Sequence, residues 1–410
     1  MSRAEVAPTA APPRHVVPLL AAFASLVVLT TDVYLPVLPQ LASDLSTSAA
    51  AASATVSCVL VGIAVGQVVI GPLSDAVGRR APLLLGAAAY ALLHVLSALS
   101  PNIVVLLGVR VLAGFATAAC IVVGRAVVVD LFPGESTTRA FAVLGAVTSI
   151  VPVLAPVVGS LLALVTGWRG MFVVLAALAV LLVAIGWRAL PESLPAERRV
   201  PPRLGAVLRE LGAVLRLRRF LAHAAVIGAV GVVLFGYIGA SSFTLQGTFD
   251  LSPQQYGLVF ALNSVGIFAA SNAAARLAGR VPPGWLLAGG QALCAAGVAV
   301  LALGVAAHVL VVVCAGLFLT ISSVGLVMPS AMALGMAESG GRAGAGAGVF
   351  GIVQFACGAA ASPLAGSGGS PWSLVVVLGV GAVAGPVLLH LLRRTSPDQC
   401  TSPAAEGVLP

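Results

Sequence analysis

The chain has 410 residues, 60% of them hydrophobic and 8% charged, with a formal net charge of +8. Apolar runs of about 20 residues recur along it, the length that crosses a bilayer core, so it reads as an integral membrane protein. The positive charge sits in short loops without interleaved aromatics, which argues against nucleic-acid binding, and runs such as "VVLLGVRVLAGFATAACIVVG" lack the apolar–polar alternation of a membrane β-barrel.

Breaks at proline, glycine and charge clusters predict about twelve helical spans. They fall near 16–38, 50–72, 82–100, 102–124, 138–163, 168–189, 221–245, 254–277, 284–305, 308–333, 343–366 and 371–392. The first run has no small-residue cleavage site behind it and is read as a retained helix rather than a signal peptide. It contains "TTDVYLPVLP", where Asp32 is the sole acid of the chain placed deep in an apolar span. Intramembrane acids are costly and mark functional sites. The alternative is a helix-end aspartate at the outer interface, since Pro36 and Pro39 follow closely.

The loop after the second span reads "GPLSDAVGRR", Gly71 to Arg80. Its glycines, Gly71 and Gly78, permit a tight turn and close helix approach, and Asp75 suits the positive N-terminal end of another helix. The fourth span, "RVLAGFATAACIVVGRAVVVDLF", opens on Arg110. Helical rise places Asp32 roughly 21 Å along the first span and Arg110 about 12 Å into the fourth from the opposite face, nearly the same level in a core of about 30 Å. The two are expected to meet. A change in water access or in the Arg110 contact would then make Asp32 take up and release a proton, which is a coupling mechanism. The other reading of Arg110 is a structural cation bonded to backbone carbonyls.

The fifth span, "GAVTSIVPVLAPVVGS", carries Pro152, Pro156 and Gly159; the prolines bend the helix and the small residues let another helix lie close. A break at 191–220 reads as a Pro-rich turn and a basic amphipathic helix on the membrane surface. It divides the chain into a six-helix bundle at 1–190, a cytoplasmic central loop at 191–220, a second bundle at 221–392 and a cytoplasmic tail at 393–410. Gly279 and Arg280 repeat Gly78 and Arg79 at the same place in the second group. Two such parallel repeats with a site at their interface are a transporter architecture.

Polar groups that could contact a small-molecule ligand are sparse. Tyr237 and Ser241 share one face of the seventh span, Asn263 lies in the eighth and Gln354 in the eleventh. Each is as consistent with an interhelical hydrogen bond as with ligand contact. Tyr34 is a weaker candidate, turned roughly 200° from Asp32 on an ideal helix.

The arginines set the orientation, because short cytoplasmic loops retain them. All but Arg110, Arg125 and Arg169 fall on the side of the termini, which are therefore expected in the cytoplasm. Cys58, Cys120, Cys294, Cys314, Cys357 and Cys400 show no metal-ligand spacing, and the five histidines are scattered singly. With no catalytic constellation, no phosphate-binding loop and no lysine anywhere, the chain is read as neither an enzyme nor an ATP-driven pump. An ion gradient is the expected energy source, and no cofactor or metal is expected. The all-arginine, alanine-rich composition suggests a bacterial source.

"GPLSDAVGRR" matches every defining position of the Gly-x-Leu-x-Asp-x-x-Gly-Arg-Arg pattern of the major facilitator superfamily. The fourth span resembles the Arg-x-x-x-Gly segment of its drug:proton antiporters, and its "RAVVVD" tail looks like the Bcr/CflA branch, with Val129 where that branch commonly has arginine. The fifth span is similar to the antiporter Gly-Pro-x-x-Gly-Gly motif, with Ala155 and Ser160 replacing glycines. "TDVYLPVLP", "GTFDLSPQQYGLVFALNSVG" and "AGAGAGVFGIVQF" resemble that branch's first, eighth and eleventh spans.

The resemblance implies an all-α fold of two six-helix pseudo-repeats in the bacterial inner membrane, acting as a monomer. It implies alternating access, with drugs such as bicyclomycin or chloramphenicol exported against protons and with antibiotic resistance as the outcome. Asp75, with Gly71, Gly78, Arg79 and Arg80, is implied to hold the cytoplasmic side shut against the eleventh span. Export of an endogenous metabolite or peptide, and a non-transporting membrane sensor, are the competing functions.

Overall fold

A computed structural model describes residues 15–132, 135–201, 204–367 and 370–394. Arg3, Arg14, Arg203, Cys400 and the tail beyond Arg394 lie outside the described residues. In chain order the helices are α1 (Val16–Asp32), α2 (Leu38–Asp44), α3 (Ala49–Val77), α4 (Arg80–Ala98), α5 (Ile103–Leu131), α6 (Glu135–Leu162) and α7 (Trp168–Ala189). The amphipathic α8 (Leu204–Leu215) follows, then α9 (Arg218–Ser242), α10 (Pro253–Leu277), α11 (Pro283–Ala306), α12 (Leu310–Ala337), α13 (Ala343–Ala365) and α14 (Pro371–Arg394). Among the described residues twelve helices are long and apolar enough to cross a membrane, with α1 and α2 forming one interrupted span.

Local chemistry sets the helix ends. Ser48 and Asn102 accept from the backbone N–H three residues on and cap α3 and α5, and Ser252 with Gln255 forms a capping box on α10. Gly78 ends α3 at φ +103°, where a side chain would be strained and a Cβ would also lie 2.6 Å from the Glu192 carboxylate. α5 runs to Leu131, past the predicted end at 124, because nothing from Gly124 onward breaks it and a lone arginine is a good helix former.

The break in the first span falls at Asp32 for a covalent reason. Pro36 has no N–H to give the Asp32 carbonyl four residues back, and its ring crowds that carbonyl, so α1 stops there and a 3₁₀ turn, Leu35–Val37, intervenes. Pro39 likewise withholds a donor from the Leu35 carbonyl. The Leu35 carbonyl accepts instead from the Leu38 N–H that closes the 3₁₀ turn and from the Ser242 hydroxyl at the end of α9, the latter at 2.7 Å.

The same substitution recurs in α6. Pro156 cannot donate to the Pro152 carbonyl; the Ser264 hydroxyl of α10 lies 3.1 Å from it and shares its one proton between that carbonyl and the Phe260 carbonyl at 3.0 Å. Gly159 brings α6 against α1 immediately after Asp32, so closely that a Cβ would sit 1.9 Å from the Val33 carbonyl.

Further contacts, with the Ser242 bond to Leu35, join the first six spans to the last six at the end remote from the termini. Ser53 donates to Gly239 O at 2.6 Å, Ser362 donates to Ser53 O at 3.0 Å, and Gln246 donates to Pro36 O at 3.0 Å. That end is sealed. Toward the termini a cavity of about 660 Å³ separates Asp75 of α3 from Gly341–Gly348 at the start of α13. At its inner limit Gln67 meets Gly351, where a Cβ would lie 2.5 Å from the amide oxygen.

Candidate transport cavity

Behind Gln67 lies a second cavity, of about 420 Å³, between the two groups of spans. Its wall is mainly aliphatic and aromatic, from residues such as Leu60, Ile63, Ile227, Phe235 and Phe260. Asp32, Gln67, Arg125, Tyr237 and Gln354 supply polar groups. A mostly apolar chamber with a few convergent polar groups suits a drug-sized amphipathic molecule.

Asp32 reaches this wall at the break in its span and is 4% exposed. Its Oδ1 accepts from the Thr31 hydroxyl at 2.7 Å. Among the described residues no cation pairs with it.

Arg110 does not meet Asp32. The guanidinium donates to the Thr30 hydroxyl at 3.2 Å, to the Thr30 carbonyl and to His94 Nε2 at 3.4 Å. It also lies 4.9 Å from the Tyr34 ring centroid and 5.1 Å from that of Phe172. The predicted common depth holds, since Thr30 is two residues from Asp32. What fails is direction around the helix: two residues turn about 200°, so a group bonded to Thr30 stands behind α1 when Asp32 faces the cavity.

His94 completes the arrangement. Its Nδ1 lies 2.8 Å from the Tyr90 carbonyl, which only accepts, so Nδ1 carries the proton and Nε2 is free to accept from Arg110 and Thr30. Arg110 is thus bonded to a carbonyl and neighbouring polar groups, the alternative reading of this residue.

The other candidates divide. Tyr237 and Gln354 line the cavity, and Asn263 stands behind Tyr237, its amide donating to the tyrosine oxygen at 2.9 Å. Ser241 lies one turn nearer the sealed end, buried with its hydroxyl 3.2 Å from that of Tyr256. Tyr34 is buried with Arg110 and shares a hydrogen bond with Thr55 at 2.9 Å, so it belongs to packing within the first six spans. Sequence reasoning passed over Arg125 and Gln67, although a basic residue inside an apolar run is itself a signal.

At the terminal end the "GPLSDAVGRR" loop is organised by Arg79. Its side chain donates to Asp75 Oδ1 at 2.5 Å, Ser74 Oγ at 2.6 Å and Asp130 Oδ2 at 3.0 Å. Burial opposes its charge, but the hydrogen bonds with Asp130 and Asp75 outweigh that and hold Arg79 above the ordinary arginine pKa. Glu192, beyond the sixth span, accepts from the backbone N–H groups of Arg79 and Arg80 at 2.8 and 3.3 Å. Arg80 donates to the Trp187 carbonyl and covers that residue's ring.

A charge network therefore exists at this loop even though Val129 lacks the arginine of the Bcr/CflA pattern, because Arg79 itself reaches Asp130. Asp75 does not touch α13 in this conformation. Its carboxylate is 50% exposed and faces α13 across the 660 Å³ cavity.

Comparison with known proteins fits this geometry. The MFS-type transporter YdgK of Bacillus subtilis strain 168, itself uncharacterized, is 33% identical over 351 residues, covering 85% of this chain and 87% of YdgK. A chloramphenicol resistance protein of Pseudomonas aeruginosa is 32% identical over 272 residues, 65% of this chain and 62% of that protein. A bacterial homolog of the human lysosomal transporter Spinster, solved inward-facing and unoccupied, superposes with a TM-score of 0.74 at 16% identity over 93% of this chain and 96% of its own. Residues 20–363 match the Major Facilitator Superfamily. The chain belongs to that superfamily and is a multi-pass secondary transporter rather than an enzyme.

Proposed function

We propose that the protein is a proton-coupled antiporter that exports small amphipathic drugs by alternating access. The observation that carries this reading is one buried carboxylate, Asp32, set in the wall of an apolar chamber that is sealed at the far end and faces a cavity toward the termini. An intramembrane acid with no fixed cation is suited to exchange a proton as its surroundings change. Similarity to a chloramphenicol resistance protein supports a drug-like cargo. The protein acts as a monomer in a bacterial inner membrane with both termini in the cytoplasm.

In this scheme drug enters from the terminal side while Asp32 gives up its proton, and Asp32 is reprotonated once the far end opens. Arg110 is a positioning residue: by clamping the Thr30 turn it keeps Asp32 directed at the chamber. The test is proton release on adding chloramphenicol to purified protein in detergent, alongside survival on chloramphenicol of cells lacking their own exporters. Wild type should release protons and protect, and Asp32→Asn should do neither. Uphill export by Asp32→Asn with normal coupling would overturn the proposal.

A further inference from the structure

Arg125 lies on α5 six residues before its end and lines two adjoining cavities. One is the central chamber; the other, about 160 Å³, lies between α1, α5 and α6. Among the described residues its guanidinium has no hydrogen-bond or ion-pair partner. The contrast with its neighbours is sharp. Arg110, on the same helix, is bonded to Thr30 and His94 and covered by two rings, and Arg79 is held by two carboxylates. Arg125 is the one basic residue of the central chamber, and Asp32, the one acid there, is engaged by Thr31 instead.

An unpaired guanidinium exposed into these cavities, beside Val28, Ile121, Leu144 and similar residues, is open to a bound anion, since no protein carboxylate there already satisfies it. Its planar fork matches a carboxylate, which accepts two parallel N–H bonds. We propose that Arg125 anchors a carboxylate on the transported molecule, so that the preferred cargo is an amphipathic acid with its apolar body among Ile63, Ile227 and Phe235. This rests on the central chamber being the transport site.

The experiment compares matched probes: chloramphenicol with its succinate monoester, and dansyl-phenylalanine with its amide. Equilibrium dialysis with the purified full-length protein in detergent measures binding of each. The acid of each pair should bind about tenfold more tightly than its neutral partner, a difference of about 1.4 kcal/mol. Arg125→Gln should bring the two within about twofold while leaving the affinity of the neutral probe unchanged, which also reports that the variant is folded; Arg125→Lys should keep part of the preference.

Equal affinities in wild type, a preference that persists in Arg125→Gln, or failure of both acids to bind would overturn the inference. So would Arg125-dependent binding of phosphatidylglycerol vesicles in place of the acids, which would make the residue a lipid contact. An Arg125-dependent acid preference in protein that releases no protons supports this inference and counts against Asp32 coupling alone. Proton release without acid preference does the reverse.

Discussion

Asp32 and Arg110 sit at one depth yet serve opposite faces of α1, so their variants should fail differently. Asp32→Asn keeps shape and should leave thermal stability nearly unchanged while abolishing proton release. Arg110→Lys keeps the charge but loses the planar fork and ring coverage, and should lower unfolding stability by roughly 1.5–3 kcal/mol, the worth of a hydrogen bond to a charged group. Thermal unfolding in detergent separates them; an Arg110→Lys protein as stable as wild type would show that the Thr30 and His94 contacts contribute little. Asp32 was legible in the sequence because no other acid lies so deep. The partner of Arg110 was not, since helical rise gives depth but not which side of α1 faces α5. The angle that turned Tyr34 away from Asp32 applies equally to Thr30, one turn before it, and Arg110 meets both.

Helix α6 shows what a proline motif does beyond bending. Pro152, Pro156 and Gly159 were readable as a kinked, closely packed stretch, but the partner of the released Pro152 carbonyl was not, because Ser264 is 112 residues away in sequence. Two substitutions follow. Ser264→Ala leaves that carbonyl without its hydroxyl and should weaken the contact between α6 and α10 by about 0.5–1.5 kcal/mol. Labelling of a single cysteine placed at the far end of α10 should rise several-fold, and unchanged labelling would mean that the bond does not hold the two helices. Gly159→Ala drives a Cβ to 1.9 Å from Val33 O, so α6 must move off the turn that carries Asp32. Export should be lost at normal expression; full activity would show that the packing yields freely.

For the whole molecule, the twelve spans and the six-plus-six repeat were legible because span length and arginine placement are properties of the chain alone. Which end is closed was not, because that depends on contacts between the two groups of helices. Fusions of a reporter after Pro195 and after Pro410 should both report a cytoplasmic location, and a periplasmic signal from either would reverse the proposed orientation. When the terminal side closes, Asp75 approaches the first turn of α13, whose free N–H groups favour a carboxylate by about 0.3–1 kcal/mol. Asp75→Ala should therefore shift the population toward the terminal-side-open form by up to about fivefold. Spin labels on the α3–α4 and α12–α13 turns would read this as more long distances. An unchanged distribution would remove Asp75 from the closing contact.

The far-end seal also bears on how such a protein changes under selection. It consists of separate contacts, the hydroxyls of Ser53, Ser242 and Ser362 and the amide of Gln246, each donating to a backbone carbonyl of the other group of spans. Deleting one hydroxyl alters the balance between open and closed forms by about two- to tenfold. None of these four side chains lines the central chamber. Turnover is therefore tunable in small inherited steps by mutations that leave cargo preference untouched, and a lineage challenged by a new compound can adjust speed before it alters recognition.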